Sequence, residues 1–153
     1  MHIHFVCTGN AYRSRLAESY LKSKQILGVI VSSSGTEADK HYSINGPISW
    51  YAMRLIQVNN LIAFTKPMSE TTTEHMLLQA DLIIFINRPH YDYAKRYLGY
   101  DETNYQIWGI LDLDDFPDAQ AILKDEKRII EVTEKTFEDI KQKVDKLVTE
   151  LKK

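Results

Sequence analysis

Seven residues, Asp81-Leu-Ile-Ile-Phe-Ile-Asn87, restrict the fold more than any other stretch of this chain. A short apolar run with almost no polar interruption suits a strand covered on both faces, as in a parallel sheet with helices on either side. The rest of the chain supplies the other parts. Ile3–Val6 reads as a short buried strand. From Ser14, the residues Leu16, Ala17, Tyr20 and Leu21 fall at helical spacing, predicting a helix to about Lys24. Gly28-Val-Ile-Val-Ser32 is β-branched and strand-like, and Leu61–Phe64 is a further strand candidate. Pro47 sits where a helix can open, with Ile48, Ala52, Leu55 and Ile56 as its stripe. Ser69 with Thr72, or Thr71 with Glu74, offers caps for a helix through Met76 and Leu78. His90–Tyr97 reads as helix and Tyr105–Leu111 as strand. The last helix, from about Lys124 to Leu151, carries Ile129, Ile130, Phe137, Ile140, Val144, Leu147, Val148 and Leu151 on one stripe. Strands alternating with helices predict an α/β fold with a parallel sheet.

A chain of 153 residues with no repeat or linker-like tract is expected to form one domain, 1–153. Its net charge of −2 provides no global basic field for nucleic acid or an anionic membrane. One cysteine rules out an internal disulfide and a Cys-rich metal site. The start, MHIHFVCTGN, lacks the basic and long apolar regions of a secretory signal, and no apolar run is long enough to span a bilayer. A cytoplasmic protein is expected. His2 and His4 alternate on a strand without an evident third ligand, so they read as core-edge histidines.

That single cysteine, Cys7, closes the first strand and is followed by Thr8-Gly9-Asn10-Ala11-Tyr12-Arg13-Ser14 before the first helix. In parallel α/β sheets, ligands sit at the carboxyl ends of strands and anions sit at helix N-termini. Backbone N–H groups of such a loop converge on one point, and Arg13 adds a planar, permanently charged fork for two phosphate oxygens. Gly9 allows close backbone approach, and Asn10 tolerates the left-handed region while bonding the loop. The same field favours the anionic, nucleophilic form of Cys7. Ser14 is placed to donate to the sulfur. Each of these residue types has a role in phosphoryl transfer through a phosphocysteine.

The pattern V-C-T-G-N-x-x-R-S at this position resembles the low-molecular-weight protein tyrosine phosphatases. Ser33-Ser34-Gly35-Thr36 looks like that family's Ser-Ala-Gly-Thr segment, and Ala80-Asp81-Leu-Ile-Ile resembles its Ala-Asp-Leu-Ile strand. The resemblance covers essentially the whole chain. It implies a flavodoxin-like, three-layer fold with a four-stranded parallel sheet. It also implies a two-step reaction without metal or cofactor, on a phosphotyrosine protein or another small phosphomonoester, by a monomer or weak dimer. Cys7 is then the nucleophile and Arg13 the phosphate ligand, with Thr8, Gly9, Asn10, Ala11, Tyr12 and Ser14 completing the phosphate loop.

The leaving group needs a proton donor, and one carboxylic acid on a loop can serve both steps. The family places an Asp-Pro pair far downstream, whereas this chain has LDLDDFPDAQ and no such pair. Asp118 fits a D-x-P-D-P pattern and lies 111 positions beyond Cys7, with Asp115 as the alternative acid. Asp112 and Asp114 read as solvated loop residues. Many relatives carry a second cysteine where Tyr12 stands and a proline where Arg15 stands. Arg15 reads equally as a mouth charge or a solvated helix residue. Ser34 is a candidate loop support, and His41 and Tyr42 fall in a segment that by resemblance walls the cleft. The tyrosines 91, 93, 97, 100 and 105 read as packing before docking or modification. Two other functions use the same loop: a phosphate-binding module without turnover, and an arsenate reductase relying on an external thiol.

Overall fold

The computed structural model describes residues 1–153. Four strands, β1 (His2–Cys7), β2 (Ile30–Gly35), β3 (Leu82–Phe85) and β4 (Tyr105–Ile107), form one sheet in the order β2-β1-β3-β4. All three pairings are parallel. The register sets Cys7 opposite Gly35 and Val6 opposite both Ser34 and Phe85. The ends of β1, β2 and β3 therefore lie side by side.

Alternation along the two inner strands builds both faces of the sheet. Phe5, Ile84 and Ile86 join one apolar cluster with Leu16, Leu55, Phe137 and Ile140. That face is covered by α1 (Arg13–Ser23), α3 (Trp50–Val58) and α7 (Glu126–Leu151). Val6, Ile83 and Phe85 join the opposite cluster with Leu77 of α4 (Glu74–Gln79) and Tyr91 and Ala94 of α5 (Arg88–Tyr97). Residues 83–86 are fully buried, as expected for a strand covered on both sides. The result is the three-layer, flavodoxin-like arrangement.

Several boundaries differ from the sequence reading. Leu61–Phe64 is no strand: α3 ends at Val58, Asn60 beyond it takes φ 58°, and Ile62–Phe64 is a 3-10 turn. Only Leu61 of that run is buried, and the segment is not part of the sheet. The cap of α4 is Thr73, whose hydroxyl accepts from the Met76 N–H, while the Thr72 hydroxyl bonds Ser34 and the Thr71 hydroxyl accepts from the Asp39 N–H. A helix α2 (Ala38–Asn45) was not legible, because Ala38 is its only buried residue and it carries no apolar stripe. β4 stops at Ile107, short of Leu111, and Gly109 then takes φ 72°. Before α7, a short α6 (Ala119–Leu123) intervenes, and Asp125 caps α7 through the Lys127 and Arg128 N–H groups.

His2 and His4 belong to the sheet as polar packing. The His2 Nε2 and His4 Nδ1 both meet the Ser32 hydroxyl at 2.6 Å, and the His4 Nε2 meets Ser34 at 2.7 Å. Of the tyrosines, Tyr91, Tyr100 and Tyr105 surround Phe85, with Tyr91 stacked on Tyr105 at 4.5 Å. Tyr93 and Tyr97 pair on the outer face of α5.

Candidate active site

Residues 8–12 turn from the end of β1 into the first turn of α1, and hydrogen bonds fix the direction of nearly every peptide. The Cys7 carbonyl accepts from the Thr36 N–H and the Thr8 carbonyl from the Glu37 N–H, both at 2.9 Å. The Ala11 carbonyl accepts from the Ser49 N–H and its hydroxyl. A trans peptide sets its N–H opposite its C=O, and no peptide here is cis. With these carbonyls held on the outside, the N–H groups of Thr8, Gly9 and Tyr12 face the loop interior. Such a nest, at a helix N-terminus, is an oxyanion cradle.

Two further features hold the loop. Asn10 takes φ 51°; its side-chain amide donates to Ser14 and Ser33, and its side-chain oxygen accepts from the Glu70 N–H. Gly35 lies beneath the loop, where a Cβ would fall 2.5 Å from the Thr8 carbonyl oxygen and 2.6 Å from the Asn10 nitrogen. No side chain fits there.

Cys7 is 2% exposed, and its Sγ lies 2.9 Å from the Ser14 hydroxyl. The buried Arg13 donates to the Ile110 carbonyl at 2.8 Å and faces the Asp112 carboxylate at 3.4 Å. Cys7, Thr8, Gly9, Ala11, Tyr12 and Arg13 line one cavity of about 40 Å³, completed by His41, Asn45, Tyr51 and Asp112. That volume takes an oxyanion and leaves the rest of a ligand at the rim. A cavity of about 670 Å³ lies behind residues 108–111 against α7, and none of the loop's residues lines it.

His90 supports the cradle from α5. Its Nδ1 accepts from the Asn87 N–H at 3.0 Å, so its proton sits on Nε2 and is donated to the Thr8 hydroxyl at 2.9 Å. Burial, with the Arg13 charge, pushes its pKa down to about 3.

The acidic segment is arranged differently from the sequence expectation. Asp118, the first choice for the acid, is the exposed N-cap of α6 and pairs with Arg128 of α7, which holds its carboxyl below the usual range. It does not line the cavity. Asp115 turns its carboxylate back onto the Asp112 N–H at 2.9 Å, capping the 3-10 turn Leu113–Asp115. Asp112, read as a solvated residue, is the carboxylate brought to the cavity. Asp114 does not line the cavity, and partial desolvation, with Asp112 and Asp115 beside it, raises its pKa.

Six of the loop residues line the cavity, while Asn10 and Ser14 brace it from behind; the expected walls are only partly there. His41 lines the cavity, whereas Tyr42 points to solvent. Support from β2 comes from Ser33, which also donates to the buried Glu18. Ser34 bonds His4 and Thr72 instead. Tyr12 lines the cavity in place of a second cysteine: its ring packs at 4.9 Å on Tyr51, and its buried hydroxyl has no hydrogen-bond partner. Sequence reading missed Tyr51, Asn45 and His90, which reach the site only through the fold.

The sequence matches the family model described as low molecular weight phosphotyrosine protein phosphatase over residues 2–153. The chain belongs to that family. It is thus a cysteine-based phosphatase with the family's parallel sheet. Among solved structures it is similar to a mutant of YwlE from Bacillus subtilis, with 25% identity and TM-score 0.78, covering 100% of this chain and 99% of that one. It also resembles the YwlE arginine phosphatase from Geobacillus stearothermophilus, at 22% identity and TM-score 0.78 over 99% and 92% of the two chains. The tyrosine phosphatase Wzb from Escherichia coli K30, solved with sulphate, shares 17% identity at TM-score 0.75 over 98% and 97%. No curated protein matches the chain.

Proposed function

We propose that this protein hydrolyses aryl phosphomonoesters, phosphotyrosine first among them, through a phosphocysteine on Cys7. The observation that carries this reading is the set Cys7, Arg13 and Asp112 around one oxyanion-sized cavity, with the Ser14 hydroxyl 2.9 Å from the sulfur. Inward N–H groups of the loop and the Arg13 guanidinium hold the phosphoryl oxygens. The Cys7 Sγ attacks phosphorus, the P–O bond to the leaving group breaks, and Asp112 gives that oxygen a proton. In the second step the Asp112 carboxylate takes a proton from water as water attacks phosphorus. The P–S bond breaks, inorganic phosphate leaves, and Ser14 donates to the departing sulfur. Thr8, Gly9, Asn10, Ala11, Tyr12 and Ser14 form the phosphate loop in this scheme, without metal or cofactor. Asp112 takes the role that sequence alone suggested for Asp118 or Asp115.

The wall supports an aryl leaving group. Tyr51 lies at the rim with Tyr12 packed edge-on against it, and His41 stands opposite Gly9. Aromatic rims favour an aryl phosphate by stacking. Residues 1–153 work in this reading as one domain in the cytoplasm; no helix is long and apolar enough to cross a membrane.

The test is hydrolysis of p-nitrophenyl phosphate and of phosphotyrosine and phosphoarginine peptides near pH 6, by wild type and Cys7→Ser. Turnover of the aryl esters, blocked by vanadate and absent in Cys7→Ser, is expected. Turnover of phosphoarginine alone would move the substrate to a phosphoramidate, and oxyanion binding without turnover would make the loop a binding module.

A further inference from the structure

Arg15 stands where the family commonly has proline, and it is among the most deeply buried large side chains of the molecule, at 1% exposure. It occupies the third position of α1, directly behind the loop. One terminal nitrogen donates to the Asn10 carbonyl at 3.2 Å and to the Pro47 carbonyl at 2.6 Å, and the other donates to the Lys66 carbonyl. Its Nε has no partner. No carboxylate lies within ion-pair distance of it. Two carboxylates whose charge acts on it have cations of their own, Glu18 with Lys22 and Glu70 with Lys66, each at 2.8 Å.

A buried cation without a counter-ion is costly, unless an anion completes the site. Arg13 already faces Asp112, so the loop holds one positive charge more than its carboxylates balance. The contact with Asn10 also has a direction. With that carbonyl drawn back to Arg15, the planar trans peptide turns the Ala11 N–H into the loop interior. This completes the row of inward N–H groups that Thr36, Glu37 and Ser49 set from their side.

We propose that Arg15 is a positioning residue of the phosphate loop, fixing the Asn10–Ala11 peptide and supplying, from behind, the second positive charge that a bound phosphate neutralises. Burial lowers the Arg15 pKa, and the Glu18, Cys7 and Glu70 charges oppose that shift. The inference rests on the phosphatase reading above and assigns a role to this chain's own residue at a position where the family commonly has proline.

Three variants test it: Arg15→Met removes the charge, Arg15→Pro restores the family's residue in a first helical turn that tolerates it, and Arg15→Lys keeps charge without the planar fork. Each is read for orthovanadate inhibition, for the ratio of Cys7 alkylation rates by anionic iodoacetate and neutral iodoacetamide, and for a cooperative melt. Loss of a charge-assisted network predicts roughly tenfold weaker vanadate inhibition and a several-fold lower alkylation ratio in Arg15→Met and Arg15→Pro. Arg15→Lys should keep most of the ratio and lose part of the vanadate affinity. Folded Met or Pro variants with wild-type inhibition and ratio would overturn the proposal. If neither neutral variant folds, wild-type vanadate inhibition in Arg15→Lys overturns the positioning role. Wild type that neither turns over aryl phosphate nor binds vanadate would instead defeat the phosphatase reading itself.

Discussion

Asp112 and Asp118 differ by six positions and by everything around them. Asp112 reaches the cavity because the Asp115 carboxylate caps its N–H and Arg13 faces its side chain, whereas Asp118 is tied to Arg128 on the far helix. Asp112→Asn should therefore lower kcat by about 10²–10⁴-fold on phosphotyrosine, with the loss smallest for p-nitrophenyl phosphate, whose leaving group needs the least help. Asp118→Asn should leave kcat within about twofold, because an exposed ion pair contributes little; steady-state kinetics on the two substrates separates the cases. Cys7 itself has no second cysteine to trap it, and Tyr12 occupies that place against Tyr51. Peroxide inactivation should accordingly be reversed by dithiothreitol at early times and lost irreversibly later, as sulfenic acid passes to sulfinic acid. A time course of recovered activity, with mass spectrometry of the Cys7 peptide, reads this directly.

The loop depends on elements remote from it in sequence. β2 ends at Gly35 because the Thr8–Asn10 backbone occupies the space of a side chain there, and the next two N–H groups hold the Cys7 and Thr8 carbonyls. Gly35→Ala should displace the loop and cost at least tenfold in kcat/KM while the far-UV spectrum stays native, because the clash falls on loop backbone and not on the core. Wild-type kinetics in that variant would show that the loop has room to shift. At this scale the sequence was most legible where apolar periodicity is strong. The Asp81–Asn87 run became β3, and the Ile129–Leu151 stripe became α7. It was least legible where elements are short and held by side-chain bonds, as with α2, the Thr73 cap and the 3-10 turn that Asp112 caps. Cys7, Arg13 and Ser14 could be read because they fall within one short loop, whereas Asp112, Tyr51 and His90 reach the loop only through tertiary contacts that no local pattern encodes.

Across the whole molecule, two buried histidines, His4 on β1 and His90 on α5, should shape the response to acid. Burial pushes His4 and His90 down to about 3 from an ordinary value of 6.5, with His2 and Lys66 adding to the first and Arg13 to the second. Because their folded values are depressed, the stability they represent is fully present above pH 6.5 and is lost as pH falls towards 3. At pH 5 the unfolded chain binds these protons and the native one does not, a cost of about 2 kcal/mol per histidine. The melting temperature should fall steadily from pH 7 to pH 4, and His4→Gln should flatten that slope even if it lowers the plateau. A slope unchanged in His4→Gln would place the acid sensitivity in other groups.

The central claim is that the phosphoryl group passes through Cys7 while Asp112 handles the proton. The most direct measurement is mass spectrometry of Asp112→Asn, quenched in acid during turnover of p-nitrophenyl phosphate. A phosphoryl adduct confined to the peptide containing Cys7 is expected, with no sulfur-bound phosphoryl group at that position when Cys7→Ser is combined with it. Sustained turnover with no adduct on Cys7, or with the adduct on another residue, would contradict it.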